Sequence, residues 1–269
     1  MSIQLIAIDI DGTLVTPDGL VSPKVAQTLA IAKSKQIKVV LCTGRPLPGV
    51  LPLLDELGLQ EEGDHAITYN GALVQQTSDG KILAHHTMDH AAFLEVENMS
   101  RKLGLHSHAV NDGGIYTTNK DISYYSIRES FLTTIPLKYR AAEEMDKEML
   151  ISKMMFIDDP ALIENSLPQI PAAFKEKYTL LRSEPFFLEV LNKAASKGQA
   201  LRDLATSFQI PREQVMAIGD NGNDLDMIQY AGIGVAMGNA SPAVKEISDY
   251  VTDTNVHDGV ATAIEKFAF

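Results

Sequence analysis

An apolar run that ends in two aspartates opens the chain: Ile6-Ala7-Ile8-Asp9-Ile10-Asp11-Gly12-Thr13-Leu14. Residues 6 to 8 read as a strand covered on both faces, the pattern of a parallel sheet flanked by helices. Ligands of such open sheets bind at the C-terminal strand ends, so the aspartates are delivered to where chemistry takes place. Side chains at i and i+2 of a strand leave the same side. That spacing would let the carboxylates of Asp9 and Asp11 share a hard cation or divide nucleophile and acid work. A solvated turn alone would not need an aspartate in the last apolar register of a strand.

The strand-turn-helix unit repeats. Ser22-Pro23 pairs an N-cap with a proline at the first helical position, and Val25, Leu29 and Ala32 mark one helical face. Residues 37 to 42 predict a second strand, ending at Thr43-Gly44-Arg45-Pro46. Leu51, Leu54 and Leu57 before Gly58 predict a second helix, and residues 66 to 69 a third strand ending at Asn70-Gly71. Ser78-Asp79-Gly80 then joins two short runs as a hairpin on the sheet edge.

From Asp89 to Lys193 the order becomes α+β. A helix is expected from Asp89 to Leu103, strands around Asp112-Gly113-Gly114, 136 to 141 and 152 to 158, a helical stretch broken at Pro168 and Pro171, and strands around Glu184-Pro185. The β-α-β pattern resumes with a helix over 197 to 208, a strand over 215 to 219, a helix over 224 to 231 and a strand over 233 to 236. A helix start at Ser241-Pro242 and a last helix from Asp258 complete it. The expected class is α/β: a doubly wound parallel-sheet core, residues 1–84 and 193–269, split by an α+β insertion over 85–192.

Bulk properties narrow the partners. The 269 residues carry 35 acidic against 23 basic side chains, a formal net charge of −12, which argues against a nucleic acid held by phosphate neutralisation. No apolar run approaches the roughly 18 residues of a membrane span, so no membrane partner is expected. The start lacks the basic n-region and small-residue cleavage site of a secretory signal, and the one cysteine, Cys42, follows Val39-Val40-Leu41 as a small buried hydrophobe. A cytoplasmic location fits both features.

Two carboxylates hold Mg²⁺ weakly among its waters, so a third contributor is needed. A second acidic strand end offers it. Val215 to Ile218 runs into Gly219-Asp220-Asn221-Gly222-Asn223-Asp224, oxygen ligands on a flexible turn suited to a hard cation, though Asp224 also serves as a helix N-cap. Thr43-Gly44-Arg45 presents a hydroxyl, an unhindered backbone N–H and a cation, the donors a phosphoryl oxygen accepts from. Lys197 follows the N-cap Ser196 and begins a helix whose free N–H groups also favour an anion.

These residues resemble the haloacid dehalogenase superfamily of phosphohydrolases, and within it the Cof/YidA-type sugar phosphatases of subclass IIB. Asp9-Ile10-Asp11-Gly12-Thr13 resembles motif I, Thr43-Gly44-Arg45 motif II, Lys197-Gly198 motif III and Gly219 to Asp224 motif IV. Tyr69-Asn70-Gly71-Ala72, Gly238-Asn239-Ala240 and the closing stretch Asp249 to Val260 match as well. The resemblance implies Asp9 as nucleophile and Asp11 as general acid and base. It implies Mg²⁺ held by the Asp9 carboxylate, the Asp11 carbonyl and Asp220, with Asn223 and Asp224 ordering the surroundings. Thr43, Gly44 and Lys197 would bind the phosphoryl oxygens, and Arg45 and Asn70 would face the leaving group.

The insertion resembles an α/β cap that lies over the site and supplies substrate contacts. Within it His106 and His108 read as structural or exposed, Tyr124-Tyr125 and Phe186-Phe187 as cap core, and Glu189 as a candidate for sugar hydroxyls. The expected activity is Mg²⁺-dependent hydrolysis of small phosphate esters, by a monomer or a homo-oligomer alike. A phosphotransferase or phosphomutase of the same superfamily, or a receiver-like signalling module, would share the strand-end aspartate. Phosphate release without an added acceptor separates hydrolysis from transfer, and persistence of the phosphoryl-aspartate would mark the signalling module.

Overall fold

A computed structural model describes residues 2–269, which fold as two compact units: the chain up to His85 with Ser196–Phe269, and His86–Ala195. The first unit begins with β1 (Leu5–Asp9), α1 (Pro23–Ser34), β2 (Lys38–Cys42), α2 (Leu51–Glu56), β3 (His65–Thr68), β4 (Leu73–Gln76) and β5 (Ile82–His85). Ser22 caps α1 by accepting from the Val25 N–H, with Pro23 at the first helical position, as the Ser-Pro pair predicts.

The second unit holds α3 (His90–Leu103), β6 (His106–Asn111), β7 (Gly114–Thr117), α4 (Tyr124–Thr133), β8 (Leu137–Tyr139), β9 (Lys153–Ile157), α5 (Pro160–Ser166), α6 (Ala172–Lys177), β10 (Tyr178–Glu184) and β11 (Phe187–Asn192). The chain then completes the first unit with α7 (Lys197–Ser207), β12 (Val215–Gly219), α8 (Leu225–Tyr230), β13 (Ile233–Ala236), α9 (Pro242–Ile247), β14 (Tyr250–Val251) and α10 (Gly259–Phe267).

The first unit's sheet has the order β14-β13-β12-β1-β2-β3-β4-β5. Pairing is parallel from β14 to β3 and antiparallel at the β3-β4-β5 edge. Every residue of β1 and β12 is buried, because helices cover both faces and leave no polar side to the strands. β1 and β12 lie side by side with Ile8 opposite Ile218, so their C-terminal loops emerge together. That adjacency, rather than sequence proximity, unites the two acidic segments.

The second unit's sheet has the order β10-β11-β9-β6-β7-β8. One face packs on α3, α5 and α6 through Phe93, Val96, Ile163, Phe174, Met154 and Phe156. Helix α4 is not among the elements expected from periodicity. Its start is set by Ser123, whose hydroxyl accepts from the Tyr125 N–H, and its inward side presents Ser126 and Glu129, polar residues that disguise a buried face.

That polar face reaches ionised partners. Lys153 on β9 lies 3.0 Å from Glu189 on β11 and 3.2 Å from Glu129 on α4, all three buried. Glu189 therefore forms an internal ion pair, correcting its assignment to sugar hydroxyls. Burial opposes the Lys153 ammonium, yet the two glutamates outweigh it and raise its pKa. His106 bonds Asp158 at 2.8 Å, and His108 is buried with Nδ1 3.1 Å from the Ser126 hydroxyl. Tyr124 is 68% exposed and so is not core, whereas Phe187 is buried and Tyr125 stacks on Phe186 with ring centroids 4.6 Å apart.

Burial, reinforced by the Lys153 charge, lowers the His108 pKa to about 3. Between that value and the ordinary value near 6.5, only the unfolded chain binds the proton. Stability of this unit should thus fall by about 1.4 kcal/mol for each pH unit below 6.5 on account of this side chain. The check is hydrogen-exchange protection of the β9 amides between pH 7 and 5, in which His108→Gln should show a shallower loss than the parent. Identical slopes would contradict the assignment.

Candidate active site

Asp9 is the last residue of β1 and only 5% exposed. Its Oδ1 lies 2.5 Å from Nζ of Lys197, whose ammonium also donates to Oδ1 of Asp224 at 2.7 Å. Lys197 is completely buried at the start of α7, where Ser196 caps the helix by accepting from the Gln199 N–H at 3.1 Å. The other Asp224 oxygen accepts the backbone N–H groups of Asp220 and Asn221, each at 3.0 Å. Both oxygens of Asp224 are thereby engaged in holding Lys197 and the Asp220 turn.

Carboxylate oxygens of Asp9, Asp220 and Asp224 lie within 4.8 Å of one another. One ammonium, Lys197, faces these three acids. Burial raises the Asp9 pKa to about 7, opposed by Lys197 and assisted by Asp224 and Asp220. Burial and the Asp224 charge likewise raise Asp220, against the Thr13 hydroxyl that donates to its Oδ1 at 3.2 Å. Lys197 itself, disfavoured by burial, is held protonated by Asp9 and Asp224. An all-oxygen donor set with surplus negative charge fits a hard divalent cation, which would favour the ionised forms of Asp9 and Asp220.

Asp11 behaves differently from the strand-based expectation. β1 ends at Asp9 and the chain turns at Gly12, whose φ of +86° suits glycine. The Asp11 side chain, 59% exposed, is consequently gripped by Arg45, with Nε 3.0 Å from Oδ2 and Nη2 donating to Oδ1. Asp11 lies beyond the end of β1, where strand alternation no longer sets its direction, and Arg45 occupies its carboxylate.

The second and third strand ends interlock. Thr43 is buried and its hydroxyl accepts the Arg45 N–H at 3.1 Å, while the Asn70 N–H donates to the Thr43 carbonyl at 2.9 Å. Tyr69, Asn70 and Gly71 all adopt positive φ, of 50°, 54° and 93°, three successive left-handed residues that are strained for the first two. A Cβ on Gly71 would stand 2.0 Å from the Ser196 carbonyl oxygen, so this turn can press against the start of α7 only because glycine is there. Asn70 Oδ1 accepts from Asn223 at 3.1 Å and its side chain lies beside Gly44. Thr43, Gly44, Asn70, Lys197 and Asn223 are thus brought together around Asp9, Asp220 and Asp224.

Sequence reasoning misses two members. Thr13 looks like no more than part of a breaker, and its bond to Asp220 arises because β1 and β12 are neighbours. Asp226, which accepts the Gly198 N–H at 3.0 Å, ties α8 to the first turn of α7. Cys42 lies fully buried beside this cluster with its thiol pKa pushed up by burial, as befits a hydrophobe.

A family model described as haloacid dehalogenase-like hydrolase matches residues 6–264. The chain belongs to that family. It is 45% identical over 263 residues to YxeH of Bacillus subtilis, covering 98% of this chain and 97% of that protein, and YxeH is named among phosphatases. Among solved structures, a haloacid dehalogenase-like hydrolase from Bacteroides thetaiotaomicron superposes with a TM-score of 0.85 at 32% identity, over 98% of this chain and 99% of the other. The subclass IIB sugar phosphatase BT4131 superposes at 0.76 with 27% identity, covering 98% of each chain. The family member described here is a phosphatase, a hydrolase of phosphoric monoesters. No helix among the described residues is long and apolar enough to cross a membrane.

Proposed function

We propose that this phosphatase hydrolyses small phosphorylated metabolites, sugar phosphates foremost, through a phosphoryl group carried transiently on Asp9, with Mg²⁺ as its cofactor. The observation that carries this reading is the setting of Asp9: a carboxylate at a buried strand end, braced by Lys197 and grouped with the carboxylates of Asp220 and Asp224. A buried carboxylate whose ionised form is favoured by an adjacent ammonium, and would be favoured further by a bound cation, suits attack on phosphorus, since burial excludes water and fixes direction.

In this reading an Asp9 oxygen forms the bond to phosphorus as the ester P–O bond breaks. Asp11 protonates the departing alkoxide, then takes a proton from the water that attacks the phosphoryl-aspartate, so inorganic phosphate leaves and Asp9 is restored. The Thr43 hydroxyl, Gly44 N–H and Lys197 ammonium stabilise the transferring oxygens. Arg45, which holds Asp11 in the free enzyme, can exchange that carboxylate for the substrate, so that the released Asp11 takes up from water the proton it then gives to the alkoxide, while Arg45 and Asn70 face the leaving group. The Asp9 carboxylate, Asp11 carbonyl and Asp220 would hold Mg²⁺, with Asn223 and Asp224 around them, and the ion would supply counter-charge against the phosphoryl anion.

The partners are therefore small phosphate esters, and a buried lone cysteine fits a reducing cytoplasm. Assay of phosphorylated sugars and other metabolites for phosphate release, with and without Mg²⁺, tests the reading. It predicts cation-dependent release without any added acceptor and a preference among sugar phosphates by kcat/KM. Release that requires an acceptor would favour a phosphotransferase, and equal turnover after chelation would exclude the Mg²⁺ role.

A further inference from the structure

Gly238-Asn239-Ala240 and the closing stretch near residue 255 match the family pattern but perform none of the steps above. Their hydrogen bonds lead back to the acidic loops. Asn239 Nδ2 donates to the carbonyl of Gly12, the residue after Asp11, at 2.7 Å. Asn239 Oδ1 accepts the Asn255 N–H at 3.0 Å, and the Asn255 side-chain amide donates to the Val15 carbonyl at 2.8 Å. Both ends of the loop Gly12 to Val15 are therefore fastened from the far end of the chain. That loop carries Thr13, the donor to Asp220.

The same turn also reaches the other acidic loop. Ser241, two residues beyond Asn239, donates its backbone N–H to the Asp220 carbonyl at 2.9 Å. Residues 239 to 241 thus bond at once to the segment following β1 and to the segment following β12. The turn is itself anchored, because the Gly238 N–H donates to the Asp253 carbonyl at 3.0 Å, and a Cβ on Gly238 would come within 2.9 Å of the Thr254 nitrogen.

We infer that Asn239 and Asn255 are positioning residues that fix the spacing of the Asp11–Thr13 loop from Asp220 and so set how tightly the carboxylate cluster binds a divalent cation. The inference rests on the Mg²⁺ reading given above. Neither asparagine is part of the core, Asn239 being exposed, so water can replace its bonds when the side chain is removed. The consequence falls on the geometry of the loop more than on the fold. Groups that orient metal ligands from behind typically alter metal affinity by ~10- to 100-fold when removed.

Calorimetric titration of the metal-free protein with Mg²⁺ measures that affinity independently of turnover. Asn239→Ala is expected to raise the Kd about tenfold, and Asn255→Ala to raise it in the same direction, while the metal-free melting temperatures stay close to the parent's. A merely structural role would instead lower the metal-free melting temperature and leave the Kd unchanged. A parent protein that binds no Mg²⁺ would overturn the cation reading and this inference with it. A parent that binds, with variants of equal Kd, would overturn the inference alone. If Asn239→Ala loses its fold, the Kd of Asn255→Ala decides the question.

Discussion

Asp9→Asn is expected to lower kcat by at least ~10³-fold with little loss of fold, because an amide is a poor nucleophile and a weaker cation ligand of nearly the same shape. The effect should appear in kcat far more than in KM, since Thr43, Gly44 and Lys197 remain to bind the phosphoryl group. In the metal-free parent the Asp9 carboxyl should also contribute more stability below pH 7 than at it. Burial raises the folded pKa of Asp9 to about 7, so between its unfolded value near 3.9 and pH 7 the folded state binds more protons, and stability falls as pH rises through that window. The amide has no such titration. Urea denaturation at pH 5 and 7 in the presence of a chelator checks the sign: the parent should lose more stability on going to pH 7 than the variant.

Lys197→Met should be nearly as damaging, by a different route. The ammonium bridges Asp9 and Asp224 inside the protein, and removing one partner of a buried ion pair costs about 3–5 kcal/mol because the remaining charges lose their compensation. Activity should fall by ~10²- to 10³-fold through the lost donor to the transferring oxygens. Added Mg²⁺ should recover part of the stability, as the cation would replace the missing positive charge, but should not restore kcat. Melting temperatures with and without Mg²⁺, set beside initial rates, distinguish the two losses. A variant as stable as the parent without cation would contradict the bracing role of Lys197.

The core is legible from its amino acids because its central strands are short apolar runs that stop at polar, glycine-bearing turns, and because Ser22-Pro23 and Ser196 announce helix starts. Asp9, Thr43, Asn70 and Asp220 sit at or beside such stops, Lys197 sits at the start of α7, and the strand-end residues converge once the strands pair. The same-face expectation does not extend to Asp11, since periodicity describes a strand only while it lasts, and β1 ends two residues earlier. In the inserted unit, α4 and the Glu189 pairing escape notice for one reason. Glu129, Lys153 and Glu189 come from three separate elements, and a buried charge satisfied by distant residues looks, in sequence, like an exposed one. Asn239 and Asn255 carry a family pattern without a local signal, because their partners Gly12 and Val15 lie at the opposite end of the chain.

The measurement closest to the central claim is chemical capture of the phosphoryl group on Asp9. Protein quenched during turnover of a phosphate ester and treated with borohydride should yield homoserine at position 9, since an acyl phosphate is reduced where a free carboxylate is not. Peptide mass spectrometry should find this change at Asp9 alone, only when substrate is present, and not in Asp9→Asn. Rapid phosphate release with an unmodified Asp9 peptide, from enzyme quenched when the intermediate should be at its peak, would contradict the account and assign the attack on phosphorus directly to water.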